Sequence, residues 1–351
     1  MQLSELDTPA VTIDLRRLAA NILRVQDTLQ RHSKANRPHI KTHKIPAVAK
    51  MQMEAGAVGI TCQKLGEVET FIDAGVTDDI LLTYNVIGEA KTERLMALSK
   101  RVGRLAVVLD NEVVAQGLSD ATRRAGRDIP FLIECDTGMG RNGVQTPEAA
   151  LELAQAAMRM RGLRFDGLMT FPNTARTREF LERALHLFGQ AGISVPVVSG
   201  GGTPAVNTVG EFPMTTEHRA GTYVYNDVMM VSAGAATWDD CAMRVRLTVV
   251  SRPTEDRAIL DAGSKVLTSD QYFVNDHGRV VEYPEARITG LSEEHAMVDL
   301  SACATRPRVG EVVNVIPNHC CVVSNMVDEV YGSRGDVVEV VWPVAARGKV
   351  R

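Results

Sequence analysis

The sequence predicts an α/β protein: a (β/α)8 TIM-type barrel followed by an antiparallel β domain. From about residue 10 to residue 225, short apolar runs alternate with stretches long enough for a helix. After Trp238 the pattern changes to valine-rich runs of alternating polarity, separated by turn residues. The chain has 351 residues, which is long enough for a barrel and a smaller second domain.

The barrel prediction begins with a helix over residues 15–29, because Leu15, Leu18, Ile22 and Leu29 fall on one helical face. Eight apolar runs are predicted strands, at residues 38–41, 58–61, 80–83, 105–109, 131–134, 163–170, 195–199 and 218–223. The gaps between them can hold helices, for example at 151–158 and 180–189. Eight right-handed strand–helix units close into a barrel.

The β domain is predicted from alternating runs at residues 242–250, 258–260, 296–300 and 312–316. Turns are expected at 252–254 and 276–278. We therefore assign residues 1–235 to the barrel and residues 236–351 to the β domain. We also expect the first residues of the chain to pair with the β domain.

Composition restricts the class of protein. The net charge is -4 and 23% of residues are charged, so the chain has no basic footprint for nucleic acid or an anionic membrane. The N-terminus lacks the features of a signal peptide, and no apolar run reaches the length of a membrane span. Six cysteines are too few for a disulfide framework in a chain of this length. We expect a cytoplasmic protein with reduced thiols.

Lys41 closes the first predicted strand, where a barrel places its catalytic groups. Desolvation lowers the pKa of a lysine and makes the amine nucleophilic, as Schiff-base formation requires. The alternative is a lysine that reaches solvent, and the nearby Lys44 is a rival nucleophile.

Three consecutive glycines, residues 200–202, follow the seventh predicted strand between Ser199 and Thr203. Glycines let the backbone approach an anion closely, and Thr203 is expected to cap a helix that begins at Pro204. Barrels often hold a phosphate at this place. A plain tight turn is the alternative.

Asp136 ends the fifth predicted strand, and Arg141 lies in the loop that follows it. We expect these two residues to form a charge pair that faces the ligand. A surface salt bridge of little energetic weight is the alternative.

Several stretches of the chain resemble one enzyme group. They are residues 8–21, the Arg-Pro-His-x-Lys-Thr-His-Lys run at 37–44, the Asp-Thr-Gly-Met-x-Arg-x-Gly run at 136–143, the Gly-Gly-Gly-Thr-Pro run at 200–204, and residues 220–227, 292–295 and 317–321. Together they resemble fold-type III (alanine racemase-like) pyridoxal-phosphate enzymes of the D-threonine aldolase and D-serine dehydratase branch.

The resemblance implies that Lys41 forms a Schiff base with pyridoxal 5'-phosphate, and that Gly201, Gly202 and Thr203 hold the phosphate. Polar residues at other strand ends are expected to complete the cofactor site; they are Arg141, Thr170, Ser199, Tyr223 and Tyr225. It also implies a homodimer.

The resemblance further implies that His319 and Cys321 bind a divalent metal, zinc or manganese. If the extended run at 312–316 continues, residues two apart project to one face, so His319 and Cys321 point together and Cys320 points away. An imidazole and a thiolate favour zinc. A buried thiol pair without metal is the alternative.

The parts permit two reactions of a 3-hydroxy-amino acid: retro-aldol cleavage to glycine and an aldehyde, or dehydration to a 2-oxo acid and ammonia. The resemblance implies that the substrate has the D configuration. Relatives of the aldolase type pair the metal histidine with aspartate, whereas this chain has Cys321, as the dehydratases do. Residues 167–173 also lack the Gly-His pattern that supplies a base in relatives, so His43, His295 or a metal-bound water is expected to replace it. We expect an aldolase. A dehydratase, a racemase and a non-catalytic cofactor-binding protein are the alternatives.

Overall fold

The structure is a computed structural model, and it describes residues 1–272 and 274–351. The described chain divides into two compact units. The barrel unit contains residues 25–41, 48–221 and 349–351, and the β unit contains residues 1–24, 42–47 and 222–348. Residues 222–235, which the sequence assigned to the barrel, belong to the β unit.

The strands, in chain order, are β1 (Ala10–Asp14), β2 (Ala35–Asn36), β3 (Ile60–Cys62), β4 (Asp79–Leu82), β5 (Arg104–Leu109), β6 (Ile129–Asp136), β7 (Leu163–Phe171), β8 (Val197–Gly200), β9 (Glu217–His218), β10 (Met243–Thr254), β11 (Arg257–Leu260), β12 (Arg279–Val280), β13 (Arg287–Leu291), β14 (Ala296–Asp299), β15 (Val312–Ile316), β16 (Glu329–Arg334) and β17 (Val337–Pro343).

The α-helices are α1 (Leu15–Arg31), α2 (Pro46–Glu54), α3 (Leu65–Asp73), α4 (Glu89–Ser99), α5 (Glu112–Ala125), α6 (Pro147–Met158), α7 (Ala175–Gln190), α8 (Val228–Ser232), α9 (Ser264–Leu267) and α10 (Cys320–Met326). The three helices predicted from sequence lie within α1, α6 and α7. In the described part of the chain, none of the helices is both long and apolar enough to cross a membrane.

The barrel unit contains a curled parallel sheet in the order β2-β9-β8-β7-β6-β5-β4-β3. Its two ends meet at a parallel bridge between His39 and Thr61, where the Ile40 N–H donates to the Thr61 carbonyl at 3.0 Å. Buried apolar side chains from alternating positions pack together in this unit; they are Leu81, Ala106, Val108, Leu132 and Met169. The (β/α)8 prediction is confirmed.

The first and last predicted barrel strands have different bounds in the structure. Regular pairing of the first strand covers only Ala35–Asn36, before the single bridge at His39. The last strand, predicted at 218–223, is limited to Glu217–His218, and Thr222–Val224 form a 3-10 turn instead. The chain leaves the sheet here because the Thr222 carbonyl accepts the N–H groups of Tyr225 and Asn226.

The β unit contains a nine-stranded sheet in the order β11-β14-β13-β12-β15-β10-β1-β16-β17, and β10 also pairs with β11. The strands β10 to β15 therefore close on themselves as an antiparallel barrel. β1 pairs antiparallel with β10 and parallel with β16, so the start of the chain lies in this sheet.

One predicted turn of the β unit is wrong. Residues 252–254 belong to β10, and the hairpin turn lies at Glu255 and Asp256. The pairing of β10 with β11 shifts register between Ser251 and Thr254. A proline lacks an N–H group and is tolerated in a strand at such an irregularity, which explains how Pro253 fits there.

Candidate active site

Lys41 lies in a turn directly after the bridge that closes the barrel sheet, and its side chain is half-buried. The neighbouring His39 is buried, and burial together with the positive charges of Lys41 and Arg219 holds its pKa well below the ordinary value. Arg141 adds to the same effect. A neutral histidine and three cationic side chains thus share one region at the carboxyl edge of the barrel sheet.

Lys44, the rival nucleophile, lies in the β unit with a left-handed backbone, at φ 56°. Its ammonium group donates to the Ala346 carbonyl at 3.3 Å, and the Ala346 N–H donates back to the Lys44 carbonyl at 3.1 Å. These two bonds tie Lys44 to the end of the chain. The two lysines therefore have different surroundings, and the role of Lys41 as the cofactor lysine stays a prediction.

Arg219 is a buried cation beside two residues predicted to bind the cofactor. It donates to the Thr170 carbonyl at 2.8 Å and to the Ser199 hydroxyl at 2.5 Å. Burial lowers the pKa of Arg219 to about 10, and the carboxylates of Glu217 and Glu134 partly offset that effect. The guanidinium stays charged at neutral pH and can interact with an anionic ligand.

The glycine run has the shape of an anion cradle. Gly201 has φ 81°, and a Cβ atom there would lie 2.1 Å from the His218 ring; at Gly202 it would lie 2.8 Å from the Phe171 ring. Within the described chain, the Thr170 hydroxyl and the Asn173 side-chain amide nitrogen are buried without a hydrogen-bond partner. Two unpaired donors beside glycines that exclude side chains fit the phosphate of pyridoxal 5'-phosphate.

The predicted helix cap at Thr203 is wrong. Thr203 is the first residue of a three-residue 3-10 turn that also contains Pro204, and the cap position belongs to Gly202. This single turn stands in place of the helix expected after Pro204, and further short turns follow it up to Thr215. Thr203 itself is buried, and its place in the cradle stays a prediction.

The predicted charge pair between Asp136 and Arg141 does not form. The Asp136 carboxylate accepts the backbone N–H groups of Gly138, Met139 and Gly140 at 2.9 to 3.2 Å, and these bonds lower its pKa. The loop folds around Asp136 instead, and Arg141 is half-exposed with its guanidinium 3.9 Å from Glu134.

Glu134 is a buried carboxyl group on β6, and the sequence did not single it out. Burial raises its pKa to about 7, while Arg141 opposes the shift and Asp110 adds to it. The Asn142 amide donates to it at 2.8 Å. Glu134 therefore exchanges a proton near neutral pH in the region that contains Arg219 and Arg141.

His319 and Cys321 contact each other in the β unit, but the strand that was expected to place them is absent. β15 ends at Ile316, and Cys320 begins α10, so a helix start brings the two side chains together. The pKa of Cys321 lies well below its ordinary value, chiefly because the Cys320 thiol donates to it, and also through His319 and Thr42. A thiolate and an imidazole are a donor set that fits Zn²⁺.

Asp270 orients His319. The Asp270 carboxylate lies 2.7 Å from His319 Nδ1, its carbonyl accepts from the Asn318 amide at 2.9 Å, and the Tyr272 ring packs edge-on against His319. Although burial lowers the pKa of His319, the contacts with Cys321 and Asp270 raise it to about 9. With the Asp270 carboxylate on Nδ1, the second nitrogen of His319 would bind a metal, which would displace the proton that the ring carries there at neutral pH.

Two protein ligands are available for a metal here. In the part of the chain that the structure describes, no group of three or more His, Cys, Asp or Glu side chains is arranged to hold a metal ion. The Thr42 hydroxyl lies 3.2 Å from the Cys321 sulfur, and Thr42 follows Lys41 directly in the chain. A metal held by His319 and Cys321 would keep positions open for other ligands.

Asp227 places the start of α10. Its carboxylate caps α8 at the Met230 N–H and accepts the Cys320 N–H, both at 3.0 Å. Tyr225 is buried nearby; burial and then the two cysteine thiols raise its pKa well above the ordinary value, and its hydroxyl has no hydrogen-bond partner among the described residues. Tyr223 is buried in the preceding 3-10 turn.

The structure separates the two candidate histidines. His43 is fully buried, and its Nδ1 accepts the Ile45 N–H at 3.0 Å. His295 is exposed, in a turn closed by the Ser292 N–H on the His295 carbonyl at 2.9 Å. Neither residue's catalytic role is tested by this placement.

Sequence reasoning missed Arg219, Glu217 and Asp270. Glu217 is the first residue of the last barrel strand, and Arg219 directly follows that strand, in a run that was predicted as barely apolar. Charged residues at strand positions in a barrel interior were the available signal. Asp270 gave no such signal, because its contact with His319 joins residues 49 apart in the chain.

Comparison with known proteins identifies the family to which the chain belongs. Residues 13–228 match the family of alanine racemase N-terminal domains, and residues 242–333 match a serine dehydratase domain family. D-threonine aldolase of Arthrobacter sp is 35% identical over 99% of this chain and 94% of its own.

Two solved structures extend the comparison. D-threonine aldolase from Filomicrobium marinum superposes with a TM-score of 0.93 at 31% identity, covering 100% of this chain and 98% of its own. D-threo-3-hydroxyaspartate dehydratase from Delftia sp. HT23 superposes with a TM-score of 0.87 at 29% identity, covering 97% and 98%. Mutants of such a dehydratase have also been solved, with alanine for a histidine and, in a metal-free form, for a cysteine two positions further on. The chain belongs to the alanine racemase-like, fold-type III family of pyridoxal-phosphate enzymes, and within it to the D-threonine aldolase and D-serine dehydratase branch.

Proposed function

We propose that the protein is a metal-assisted lyase that cleaves D-3-hydroxy-amino acids by a retro-aldol reaction to glycine and an aldehyde. The observation that carries the proposal is the contact of His319 with Cys321, held by Asp270. The relatives named as D-threonine aldolases support the substrate class.

Pyridoxal 5'-phosphate, when bound, supplies an electron sink for the negative charge that develops at the α-carbon of an amino acid. Lys41 provides the amine that holds the cofactor. The buried donors of Thr170 and Asn173, with the glycine run, receive its phosphate. Arg219 supplies a fixed positive charge in the same unit.

A divalent metal supplies a Lewis acid for the β-hydroxyl group of the substrate. His319 and Cys321 hold it, and Asp270 fixes the ring of His319 so that its second nitrogen is available. The small number of protein ligands leaves room for the substrate oxygen.

A proton acceptor for the hydroxyl group must replace the histidine that relatives carry after the sixth barrel strand. Asn173 lies in this region, and its side-chain oxygen accepts the Gly201 N–H at 2.8 Å. This oxygen therefore binds the backbone of the glycine run and is not the proton acceptor. Of the two candidate histidines we propose His43, because it is buried next to Thr42, which contacts Cys321. Because His43 Nδ1 accepts the Ile45 N–H, the neutral ring carries its hydrogen on Nε2, so Nδ1 is the atom that would accept the proton once that bond is released.

Cys321 favours a second candidate, dehydration of a D-3-hydroxy-amino acid to a 2-oxo acid and ammonia. The dehydratase mutants involve a histidine and a cysteine with the same spacing as His319 and Cys321. Loss of the hydroxyl group needs removal of the α-proton, and the amine of Lys41 would be the group that accepts it.

Product analysis separates the two reactions. The purified protein, saturated with pyridoxal 5'-phosphate and zinc or manganese, is incubated with D-threonine and with D-3-hydroxyaspartate. Glycine in equal amount to the aldehyde supports the aldolase. A 2-oxo acid with ammonia shows the dehydratase, and turnover of neither substrate contradicts both proposals.

The matched variant is Cys321→Asp, which gives the metal histidine the partner found in aldolase-type relatives. If the ligand set controls the outcome, this variant raises the ratio of glycine to ammonia. An unchanged ratio would show that the reaction is decided elsewhere. Ser324→Ala, a change on the same helix, controls for disturbance of α10.

We also propose a homodimer, as the family resemblance implies. Light scattering of the cofactor-loaded protein should give twice the mass of 38.2 kDa. A mass of one chain at micromolar concentration would contradict the proposal.

A further inference from the structure

Six charged side chains of alternating sign, with one serine hydroxyl among them, form a connected chain in the barrel unit. In order they are Arg219, Ser199, Glu217, Arg37, Asp79, Arg104 and Asp166. Arg219 lies at the carboxyl edge of the barrel sheet, whereas Asp79 and Arg104 are the first residues of β4 and β5. The charge chain therefore connects opposite edges of the sheet.

The inner part of the charge chain, from Arg219 to Arg37, has short hydrogen bonds and is almost inaccessible to water. Arg219 donates to the Ser199 hydroxyl at 2.5 Å, which donates in turn to Glu217 at 2.6 Å. The other oxygen of Glu217 accepts from Arg37 Nε at 2.8 Å. Relative exposures are 6% for Arg219, 0% for Ser199, 5% for Glu217 and 4% for Arg37.

The outer part ends in less buried groups. Arg37 donates both terminal nitrogens to Asp79, at 2.9 and 3.1 Å, and Arg104 pairs with Asp79 at 2.7 Å. Asp166 is the last member of the charge chain and pairs with Arg104. Three cations and three anions alternate, so each inner charge has an opposite neighbour.

Stability alone does not account for this arrangement, because a buried ion pair is often replaceable by packed apolar residues without loss. Glu217 lies at the point where the charge chain reaches Arg219. Among the charges that oppose the effect of burial on the pKa of Arg219, Glu217 has the largest effect. Through Ser199 it also determines where one nitrogen of that guanidinium can lie.

We infer that Glu217 is a positioning residue of the active site, acting through Ser199 to hold Arg219 in place and to balance its charge against the cofactor. Arg219 contacts Thr170 and Ser199, and its charge acts on His39 together with that of Lys41. The inference rests on the proposed binding of pyridoxal 5'-phosphate at Lys41.

The test is Glu217→Gln in the cofactor-loaded protein, with the absorbance of the bound chromophore followed as a function of pH. Removing a nearby negative charge disfavours the protonated chromophore, so the midpoint of its titration should fall by about one pH unit. The matched control is Asp166→Asn, which removes the same charge from the far end of the same charge chain. It should lower the thermal midpoint of unfolding and leave the chromophore titration at the wild-type pH.

A wild-type titration in Glu217→Gln, or an equal shift in Asp166→Asn, would overturn the inference. If Glu217→Gln fails to fold, Ser199→Ala removes the bridging hydroxyl group and keeps both charges. It should move the absorbance maximum of the chromophore, and an unchanged spectrum would count against the inference. Failure of the cofactor assignment is separate, because then the wild-type protein would show no bound chromophore at all.

Discussion

At the residue scale, two lysines three positions apart in the chain have different environments. Lys41 lies in the barrel unit beside a histidine whose pKa its charge helps to lower, whereas Lys44 lies in the β unit and is bonded to the Ala346 carbonyl. The difference in environment, rather than the amine itself, is what distinguishes a nucleophile from a structural cation.

The matched pair of substitutions is Lys41→Ala and Lys44→Ala. We expect Lys41→Ala to abolish the absorbance of the lysine-bound cofactor and to reduce turnover to background, because no other amine would replace it. Lys44→Ala should retain that absorbance and lose some thermal stability. Retention of the absorbance in Lys41→Ala would exclude Lys41.

Glu134 gives a pH dependence of stability. Its pKa rises from an ordinary 4.5 to about 7, so the folded state binds the proton more tightly than the unfolded state. The contribution of Glu134 to the free energy of unfolding is present in full below pH 4.5 and is lost as the pH rises through 7. The total loss is about 3 kcal/mol.

Glu134→Gln removes this titration. We expect the variant to gain stability relative to wild type between pH 5 and pH 8, as measured by thermal unfolding of the cofactor-loaded proteins at both values. A constant difference between the two proteins across this range would show that Glu134 does not titrate as described.

At the element scale, the glycine run depends on both backbone conformation and space. Gly201 has a positive φ, and the His218 ring that would meet a Cβ atom is fixed by a 3.0 Å contact of its Nε2 with the Gly202 carbonyl. The ring has no room to move aside, so a side chain at Gly201 must displace the backbone of the cradle.

We expect Gly201→Ala to weaken cofactor binding by tenfold or more, in addition to a cost of about 1–2 kcal/mol for the left-handed backbone. The matched control is Gly192→Ala, which has φ 69° and nothing within 4 Å of the added atom. The control should lose stability and keep the wild-type dissociation constant for pyridoxal 5'-phosphate. Equal affinity in both variants would argue against a phosphate at Gly201.

Two aspartates after α9 contact the segment that contains the proposed metal ligands His319 and Cys321. Asp270 contacts His319 through its side chain, whereas Asp276 contributes its main-chain carbonyl to Asn318 at 2.6 Å. We expect Asp270→Asn to lower the affinity for zinc by about 10- to 100-fold, as loss of an orienting carboxylate does in other sites. Asp276→Asn is the control, and competition with a chelating indicator measures both. An unchanged affinity in Asp270→Asn would show that Asp270 does not orient the ligand.

At the scale of the whole molecule, the two units contribute different chemistry. The barrel unit contains Lys41, Arg219 and the glycine run, and the β unit contains His319, Cys321 and Asp270. Cofactor binding and metal binding should therefore be separable.

We expect a chelator to abolish turnover of 3-hydroxy-amino acids while leaving the absorbance of the bound cofactor unchanged, because the metal ligands belong to the other unit. Added zinc or manganese should restore turnover, and the choice of metal that does so identifies the preferred ion. Full turnover in the chelated protein, verified to be metal-free by elemental analysis, would contradict the metal-assisted proposal and show that the lyase reaction needs no metal.

The sequence alone was sufficient for the fold class, because eight apolar runs at regular spacing and a change to alternating valines are local patterns. It also indicated that Lys41 and the glycine run lie at the edge where barrel strands end, while their roles in cofactor binding stay predictions. It was misleading where tertiary contacts override local pattern. The 319–321 segment starts a helix because Asp227, 93 residues away in the chain, accepts the Cys320 N–H.

Only the tertiary structure placed Asp270 on His319, Glu134 in a low-dielectric setting and Glu217 between two arginines. These contacts join residues that are distant in the chain, and their energies depend on burial and on the signs of neighbouring charges. Periodicity in the sequence encodes which residues are buried. It does not encode which charged group each buried residue meets, and in this protein that is what determines the chemistry of the site.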